Sequence, residues 1–263
     1  FFLFLFHETL SEMSRILIPL PDNGFDVTES AVPWKIFKRA GISVFFATEK
    51  GAIAAADSSL IEGVLWSNDS LAAAPEAKQF YSEMIQSSEF QNPLSWTDES
   101  NDVTQYDALF LVGGHAQPMK QLLESLEIRK IVVDYFEKNK PVGAICHGVL
   151  TAARALVLKG RKSTCLPKYM ERAAYFSTFW KIGKHYRTYD EYVEDEVKRL
   201  GAEIIVGPTT LFSRGTDHDD SAAFVVEDDN YISGRWPGDA YLLAKKLVCL
   251  VQPKTDKQED TCN

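Results

Sequence analysis

Short apolar runs and longer amphipathic stretches alternate along this chain. Four apolar runs, residues 15–20, 43–48, 106–112 and 142–145, have the length and composition of buried strands. The stretches between them show helical spacing of their apolar positions. Strands that alternate with helices in this way pair in parallel through right-handed crossovers. The pattern therefore predicts an α/β fold, with a doubly wound and mostly parallel sheet sandwiched by helices.

Local start and stop signals place the helices. Thr28 is the predicted N-cap of a helix over residues 29–40, which Gly41 ends. Further helices are predicted over residues 72–88, 119–126, 127–139, 147–155, 190–200 and 239–251. Residues 224–227 and 231–233 flank the turn residues 228–230, which predicts a β-hairpin before the last helix.

One helical stretch, residues 163–188, differs from the others because aromatic and basic residues interleave along it. Proteins that bind single-stranded nucleic acid can show the same interleaving. The formal net charge of the chain is -9, however, which opposes binding to nucleic acid or to an anionic membrane as the main partner. We therefore interpret residues of about 163–190 as a helical, aromatic-rich cap inserted over the site.

The length of 263 residues, with 45% hydrophobic and 25% charged residues, is typical of one globular domain. We assign this domain to residues 14–251 and predict no membrane-spanning helix, because no apolar run is long enough. Residues 1–12 are apolar without a preceding basic region, so we interpret them as an extraneous or truncated leader, or as a targeting remnant. This leader and the polar residues 252–263 are expected to be disordered.

The four cysteines show neither paired nor metal-type spacing; they are Cys146, Cys165, Cys249 and Cys262. We therefore expect free thiols, a reducing and cytoplasmic setting, and no metal site.

Cys146 lies where the strand over residues 142–145 breaks into the following helix, with Gly143 and Gly148 on either side. A sharp strand-to-helix turn at a nucleophilic residue is a nucleophile elbow, and glycine allows the tight backbone turn. The helix N-terminus would then lower the pKa of the thiol and favour a thiolate. The alternative is that Cys146 is a core cysteine, since free cysteines are often buried. The adjacent His147 favours a catalytic role.

Two further stretches carry candidate chemistry. Glu29 lies in the first turn of its predicted helix, beyond the end of a parallel strand, where open α/β sheets bind ligands. The alternative is that Glu29 only complements the helix dipole. The strand over residues 106–112 runs into the Gly113-Gly114-His115 turn, which allows a ligand to approach the backbone. The N–H groups of Gly114 and His147 are candidate oxyanion donors.

These stretches together resemble the ThiJ/PfpI superfamily, whose fold is of the class I glutamine-amidotransferase-like, flavodoxin-like kind. The resemblance rests on the elbow (residues 144–148), on Glu29 with Pro33, on the oxyanion turn (110–115) and on the segment before the last helix (231–237). It covers residues of about 14–251 in order. Residues 24–29 and the Gly-Gly-His turn resemble the larger branch, which includes glyoxalase III and chaperone members.

The resemblance implies a cysteine-dependent enzyme that converts small 2-oxoaldehydes into 2-hydroxy acids, with Cys146, His147 and Glu29 as catalytic residues. It also implies that His115, Arg235 and Trp236 line the substrate pocket and that the chain forms a homodimer. This chemistry needs no metal ion or organic cofactor. An amidase, amidotransferase or hydratase using the same elbow, with an amide substrate, is the alternative within enzymes. A stress chaperone or redox sensor is the alternative outside them.

The sequence also departs from that branch. Ala116 stands where the branch has a glycine, and residues 179–189 replace its lid region. The third member of the catalytic triad is consequently left open among four carboxylates: Asp190, Glu191, Asp217 and Asp219.

Overall fold

The computed structural model describes residues 13–64, 71–97, 105–209 and 213–252. The predicted leader over residues 1–12 and all but the first residue of the predicted tail over 252–263 lie outside these ranges.

A seven-stranded sheet forms the centre of the molecule, in the order β10-β11-β7-β6-β1-β3-β5. Its strands are β1 (Arg15–Pro19), β3 (Ser43–Thr48), β5 (Leu94–Ser95), β6 (Ala108–Leu111), β7 (Val142–Ile145), β10 (Val225–Asp228) and β11 (Tyr231–Gly234). All neighbours pair in parallel except β10 and β11, which form the predicted antiparallel hairpin. The mostly parallel sheet predicted from the alternation of strands and helices is confirmed.

Two small parallel pairs lie beside this sheet: β2 (Asn23–Phe25) with β4 (Ala55–Ala56), and β8 (Lys162–Ser163) with β9 (Glu203–Ile204). The strands β2, β4, β5 and β8 were not predicted, because two or three residues are too few to show a periodic pattern.

The helices are α1 (Val27–Arg39), α2 (Ser58–Glu62), α3 (Pro75–Met84), α4 (Ser88–Gln91), α5 (Lys120–Leu123), α6 (Leu126–Glu137), α7 (Gly148–Arg154), α8 (Lys168–Ile182), α9 (Val193–Arg199) and α10 (Ala240–Val251). Two groups of them flank the sheet. Helix α1 packs against α3 and α10, whereas α7 packs against α5, α6 and α9. The core lies between these layers and contains fully buried side chains such as Ile16, Phe110 and Leu247. Burial of such side chains is the main favourable term in folding.

The start of α1 differs from the prediction. Its N-cap is Asp26 and not Thr28, because Asp26 Oδ1 accepts the backbone N–H groups of Thr28 and Glu29 at 2.7 and 3.0 Å. Asp and Thr are both good N-caps, so the sequence alone did not separate them. The earlier start keeps Glu29 in the first turn of the helix.

The prediction of four free thiols is wrong at Cys249, which is disulfide-bonded. Cys146 and Cys165 are free and buried, and Cys262 lies outside the described residues. Linear spacing failed here because a disulfide requires proximity in space and not a repeated motif. Among the described helices, none combines the length and the apolar character that crossing a bilayer would require.

Candidate active site

Cys146 sits at a sharp bend between β7 and α7. Its φ angle is 57°, in the left-handed region that residues other than glycine seldom adopt. Gly148 makes the bend possible, because a Cβ atom at this position would overlap the Leu111 carbonyl oxygen and lie 2.7 Å from that of Val112. The bend has the geometry of a nucleophile elbow. Cys146 is only 1% exposed.

Glu29 reaches the elbow from the first turn of α1. Its side chain is fully buried, and Oε2 accepts the backbone N–H of Gly113 at 2.9 Å. Oε1 has no hydrogen-bond partner in the described part of the chain, and the carboxyl group lies beside the Cys146 thiol. The carboxyl ends of β1, β6 and β7 therefore bring together the three stretches that the sequence singled out.

The carboxyl group of Glu29 favours its protonated form. Burial raises its pKa well above the ordinary value of 4.5, and the negative charge of Asp26 raises it further. Asp26 is buried as well, and burial raises its pKa to about 6. The site is thus a poorly solvated pocket that disfavours negative charge.

The same environment overturns the expected thiolate. Burial raises the pKa of Cys146 well above 9.0, and the carboxyl groups of Glu29 and Asp26 raise it further when they are ionised. The backbone N–H of His147 lowers it, as expected at a helix start, but does not compensate. The sequence showed the helix N-terminus and did not show two buried carboxyl groups beside the sulfur. The resting site holds a neutral thiol.

His147 lies directly beside that thiol. Its Nδ1 atom lies 3.4 Å from Cys146 Sγ. Thr188 Oγ1 donates its proton to the His115 carbonyl oxygen at 2.6 Å, so its remaining role toward His147 Nε2, at 3.3 Å, is that of acceptor. His147 therefore carries its proton on Nε2 and directs the Nδ1 lone pair at the thiol. Burial lowers its pKa to about 3, which keeps the ring neutral.

The four candidate carboxylates for a triad lie elsewhere. Asp190, Glu191 and Asp217 pair with Lys184, Arg199 and Arg39, and Asp219 accepts hydrogen bonds from Ser221. The side chain within hydrogen-bonding distance of His147 Nε2 is that of Thr188. Sequence reasoning missed it because it sought a carboxylate, and because 41 residues separate Thr188 from His147.

The Gly113-Gly114 turn lies directly against the elbow. A Cβ atom on Gly113 would lie 2.8 Å from the backbone nitrogen of His147. Gly114 has a φ angle of 149°, and a Cβ atom there would lie 2.8 Å from the Gly24 carbonyl oxygen. Both glycines are thus required by close backbone packing, and the predicted oxyanion donors Gly114 and His147 lie on adjoining segments.

A cavity of about 280 Å³ adjoins the site. Its lining residues come from the elbow side, from α2 and from α8; they are Asp26, Leu60, Leu71, His115, Leu166, Met170, Ala173, Ala174, Ser177, Tyr186, Arg214, Trp236 and Pro237. The predicted pocket residues His115 and Trp236 lie on this wall. Arg214 was not predicted, because nothing in its local sequence distinguishes it.

Arg235, also predicted to line the pocket, is placed differently. Its side chain is fully buried, and its guanidinium donates to both carboxylate oxygens of Asp239 and to the Pro208 carbonyl oxygen. A guanidinium satisfied in this way fixes the start of α10 and does not face the cavity. The prediction of a pocket role for Arg235 is wrong.

His115 lines the cavity and also contacts the elbow. Its ring contacts those of His147 and Tyr186, with both centroid separations 4.7 Å. Its Nδ1 atom is buried without a hydrogen-bond partner among the described residues. Ligand atoms of His115, Cys146 and His147 lie within 4.8 Å of one another, so these three side chains are the ones that could hold a metal ion here.

Comparison with known proteins identifies the family of this chain. Residues 20–201 match the family model described as "ThiJ/PfpI family-like". The chain belongs to the ThiJ/PfpI family. A protein of Schizosaccharomyces pombe described as uncharacterised is 31% identical over 254 residues, which cover 93% of this chain and 85% of that protein. A deglycase of Thermococcus kodakarensis is 33% identical over 151 residues, 57% of this chain and 66% of that enzyme.

Solved structures agree on the fold of this ThiJ/PfpI chain. Glyoxalase III from Candida albicans superposes with a TM-score of 0.65 at 18% identity, covering 91% of this chain and 98% of that one. The Rapid Encystment Protein of Francisella tularensis gives a TM-score of 0.67 at 16% identity, covering 92% of this chain and 100% of that one. At these identities the likeness shows the fold alone.

In this ThiJ/PfpI chain, Gly24 makes room for an alanine at position 116, where the glyoxalase III branch has a glycine. The Ala116 side chain is buried, and a Cβ atom on Gly24 would lie 2.9 Å from it. Gly24 also has a φ angle of 88°, which favours glycine. The extra methyl group of Ala116 is therefore accommodated by a glycine on the facing segment.

Proposed function

We propose that this protein is a cysteine-dependent enzyme of the glyoxalase and deglycase type, which converts 2-oxoaldehydes into 2-hydroxy acids through Cys146. One observation carries the proposal. The sulfur is held at an elbow, 3.4 Å from a histidine nitrogen that bears a lone pair, with a buried carboxyl group that favours its protonated form beside it. A nucleophile, a base and an acid thus converge on one point.

The first step is addition of the thiol to the aldehyde. The Cys146 sulfur forms a bond to C1 while His147 Nδ1 accepts the thiol proton. The electron pair of the C1 carbonyl moves to its oxygen, which the N–H groups of Gly114 and His147 stabilise in this proposal. Protonated Glu29 donates to this oxygen and gives a neutral hemithioacetal. Transfer of the proton during the attack fits a thiol whose pKa is raised.

The second step moves hydrogen between neighbouring carbons. Glu29, now a carboxylate, removes the proton from C1; the electron pair forms a C1=C2 double bond, and the C2 carbonyl oxygen takes the proton held by His147, which gives an enediol and returns His147 to its neutral form. Glu29 then gives its proton to C2 and takes the proton of the C1 hydroxyl group, so that C1 becomes a thioester carbonyl and C2 carries a hydroxyl group. Water hydrolyses the thioester, with His147 as general base, and releases the 2-hydroxy acid and the thiol. C1 is oxidised and C2 is reduced, so no external oxidant is needed.

The relatives support this choice of reaction. The proteins that match at 27–33% identity over half or more of this chain include those named deglycases and a glutathione-independent glyoxalase of Schizosaccharomyces pombe. The redox-sensor alternative is weaker, because peroxide oxidises thiolates and the pKa of Cys146 is raised.

The test is turnover of methylglyoxal without glutathione, followed as lactate formation. We expect Cys146→Ser to lower kcat/KM by about a thousandfold or more, because a serine hydroxyl is a far weaker nucleophile here. The matched control is Cys165→Ser, since Cys165 is also a buried free thiol, and its sulfur contacts the Leu166 carbonyl oxygen and not a histidine. Full activity of Cys146→Ser would remove the nucleophile. Hydrolysis of amides without turnover of any oxoaldehyde would instead assign the elbow to amide chemistry.

A further inference from the structure

The cavity beside the elbow is much larger than methylglyoxal requires. Its volume of about 280 Å³ approaches the lower end of pockets that hold drug-sized ligands, roughly 300 Å³. An apolar cavity of about 150 Å³ is enough to bind benzene. A three-carbon aldehyde would leave most of this space to water.

The wall of the cavity is mainly apolar. Leu60 and Trp236, at 5% and 8% exposure, form part of it, and Leu166 adds to this surface. Helix α8 contributes residues that are spaced by about one helical turn and share one face; they are Met170, Ala173, Ala174 and Ser177. We refer to this set as the inner stripe of α8. The small side chains on this stripe leave the space that a ligand could fill.

The cavity and the sulfur share two neighbours. Asp26 lines the cavity, and its charge acts on the pKa of Cys146. His115 lines it as well, and a nitrogen of its ring lies within 4.8 Å of Cys146 Sγ. A molecule lodged against α8 could therefore extend its reactive end past Asp26 and His115 to the sulfur.

We infer that the preferred substrates are 2-oxoaldehydes with a bulky apolar or aromatic substituent, which occupies the cavity under α8 while the aldehyde meets Cys146. The inference rests on the proposed function and names its substrate class. The reaction is the one above, so phenylglyoxal and water yield mandelate with atoms and electrons balanced. Filling the cavity with the substituent excludes water from apolar walls, which stabilises the bound state and the transition state alike.

The first test compares kcat/KM for phenylglyoxal and methylglyoxal with the full chain. We expect phenylglyoxal to be preferred by roughly tenfold or more, the scale on which apolar pockets separate substrates. Equal values, or a preference for methylglyoxal, would overturn the inference.

The second test narrows the cavity. Ala174→Leu places a larger apolar side chain on the inner stripe of α8, at a helical position that tolerates leucine. We expect kcat/KM for phenylglyoxal to fall by roughly tenfold, while that for methylglyoxal changes less than about twofold. Arg172→Leu is the control, because it puts the same side chain on an exposed position of α8 that does not line the cavity. An equal loss with both substrates, or the same effect in Arg172→Leu, would contradict the inference.

A binding measurement separates this inference from the proposed function. In Cys146→Ser, calorimetry should show that mandelate binds more tightly than lactate and that adding Ala174→Leu removes the difference. Absence of turnover with both aldehydes would refute the proposed function, whatever the binding result. Turnover without any preference in binding or kinetics would refute only the substrate class.

Discussion

The elbow at Cys146 and helix α8, which lines the adjoining cavity, are held in different ways. Around Cys146 the backbone itself decides the geometry, because Gly148 packs directly on the carbonyl groups of Leu111 and Val112 at the end of β6. Helix α8 buries only Glu171 and Thr178 among its side chains and leaves large aromatic ones outside. Phe176, Phe179 and Trp180 are 57%, 50% and 64% exposed.

Polar links attach α8 and the segment after it to the rest of the molecule. Glu171 accepts hydrogen bonds from Arg187 and from the backbone of Val193. His185, just beyond α8, bonds to Asp57 at 2.7 Å. Close-packed backbone tolerates almost no change, whereas a helix held by a few polar contacts can change its inner face. Under the proposed function, the chemistry depends on the rigid part, and the inferred size of the substrate depends on the part that can vary.

The largest expected effect is a loss of stability and activity on substitution of Gly148 at the elbow. In Gly148→Ala the new Cβ atom would overlap the Leu111 carbonyl oxygen and lie 2.7 Å from that of Val112, and neither backbone group can move without disturbing β6. We expect the free energy of unfolding to fall by more than about 3 kcal/mol, with loss of turnover. Denaturant titration measures the first quantity.

Gly160→Ala is the control for this change. A Cβ atom on Gly160 meets nothing within 4 Å, and only its φ angle of 75° opposes the substitution. Its cost should be about 1 to 2 kcal/mol, from backbone strain alone. Equal costs for the two variants would show that close packing does not hold the elbow.

The elbow is also the part that the sequence predicted best. The strand Val142–Ile145 has its predicted bounds, because an apolar run that ends at a Cys-His-Gly turn is a purely local signal. The pKa of Cys146 was predicted in the wrong direction, since it depends on burial and on Asp26, which is distant in sequence. Thr188 and Arg214 were missed for the same reason: their roles depend on contacts between distant segments.

A smaller effect is expected at Asp26, which belongs to both regions because it caps α1 and lines the cavity. Its pKa is about 6 in the fold against an ordinary 3.8. Burial is the main cause; Asp57 also raises the value, and Arg214 lowers it. The folded state therefore holds the proton more tightly, so this contribution is full below about pH 4 and is lost as the pH rises through 6. The loss should be about 2 to 3 kcal/mol.

Asp26→Asn keeps an oxygen for the N-cap and removes the charge. We expect the variant to be more stable than the parent at pH 7 and about equally stable at pH 4, as measured by urea unfolding at both values. Asp134→Asn removes a charge from a half-buried position of α6 and should not reproduce this pattern. A larger gain at pH 4 than at pH 7 would show that the sign is wrong.

The smallest effect should come from Thr188, which ties the segment after α8 to the elbow. Thr188→Val removes the hydroxyl group that accepts the Nε2–H of His147 and donates to the His115 carbonyl oxygen, with little change in side-chain volume. The ring of His147 then loses its fixed tautomer, so we expect kcat to fall about tenfold while KM changes little. Thr188→Ser restores the hydroxyl group and should recover most of the activity, which a purely structural role of the methyl group would not allow. If Thr188→Val instead raised KM alone, Thr188 would contribute to substrate binding and not to the orientation of His147.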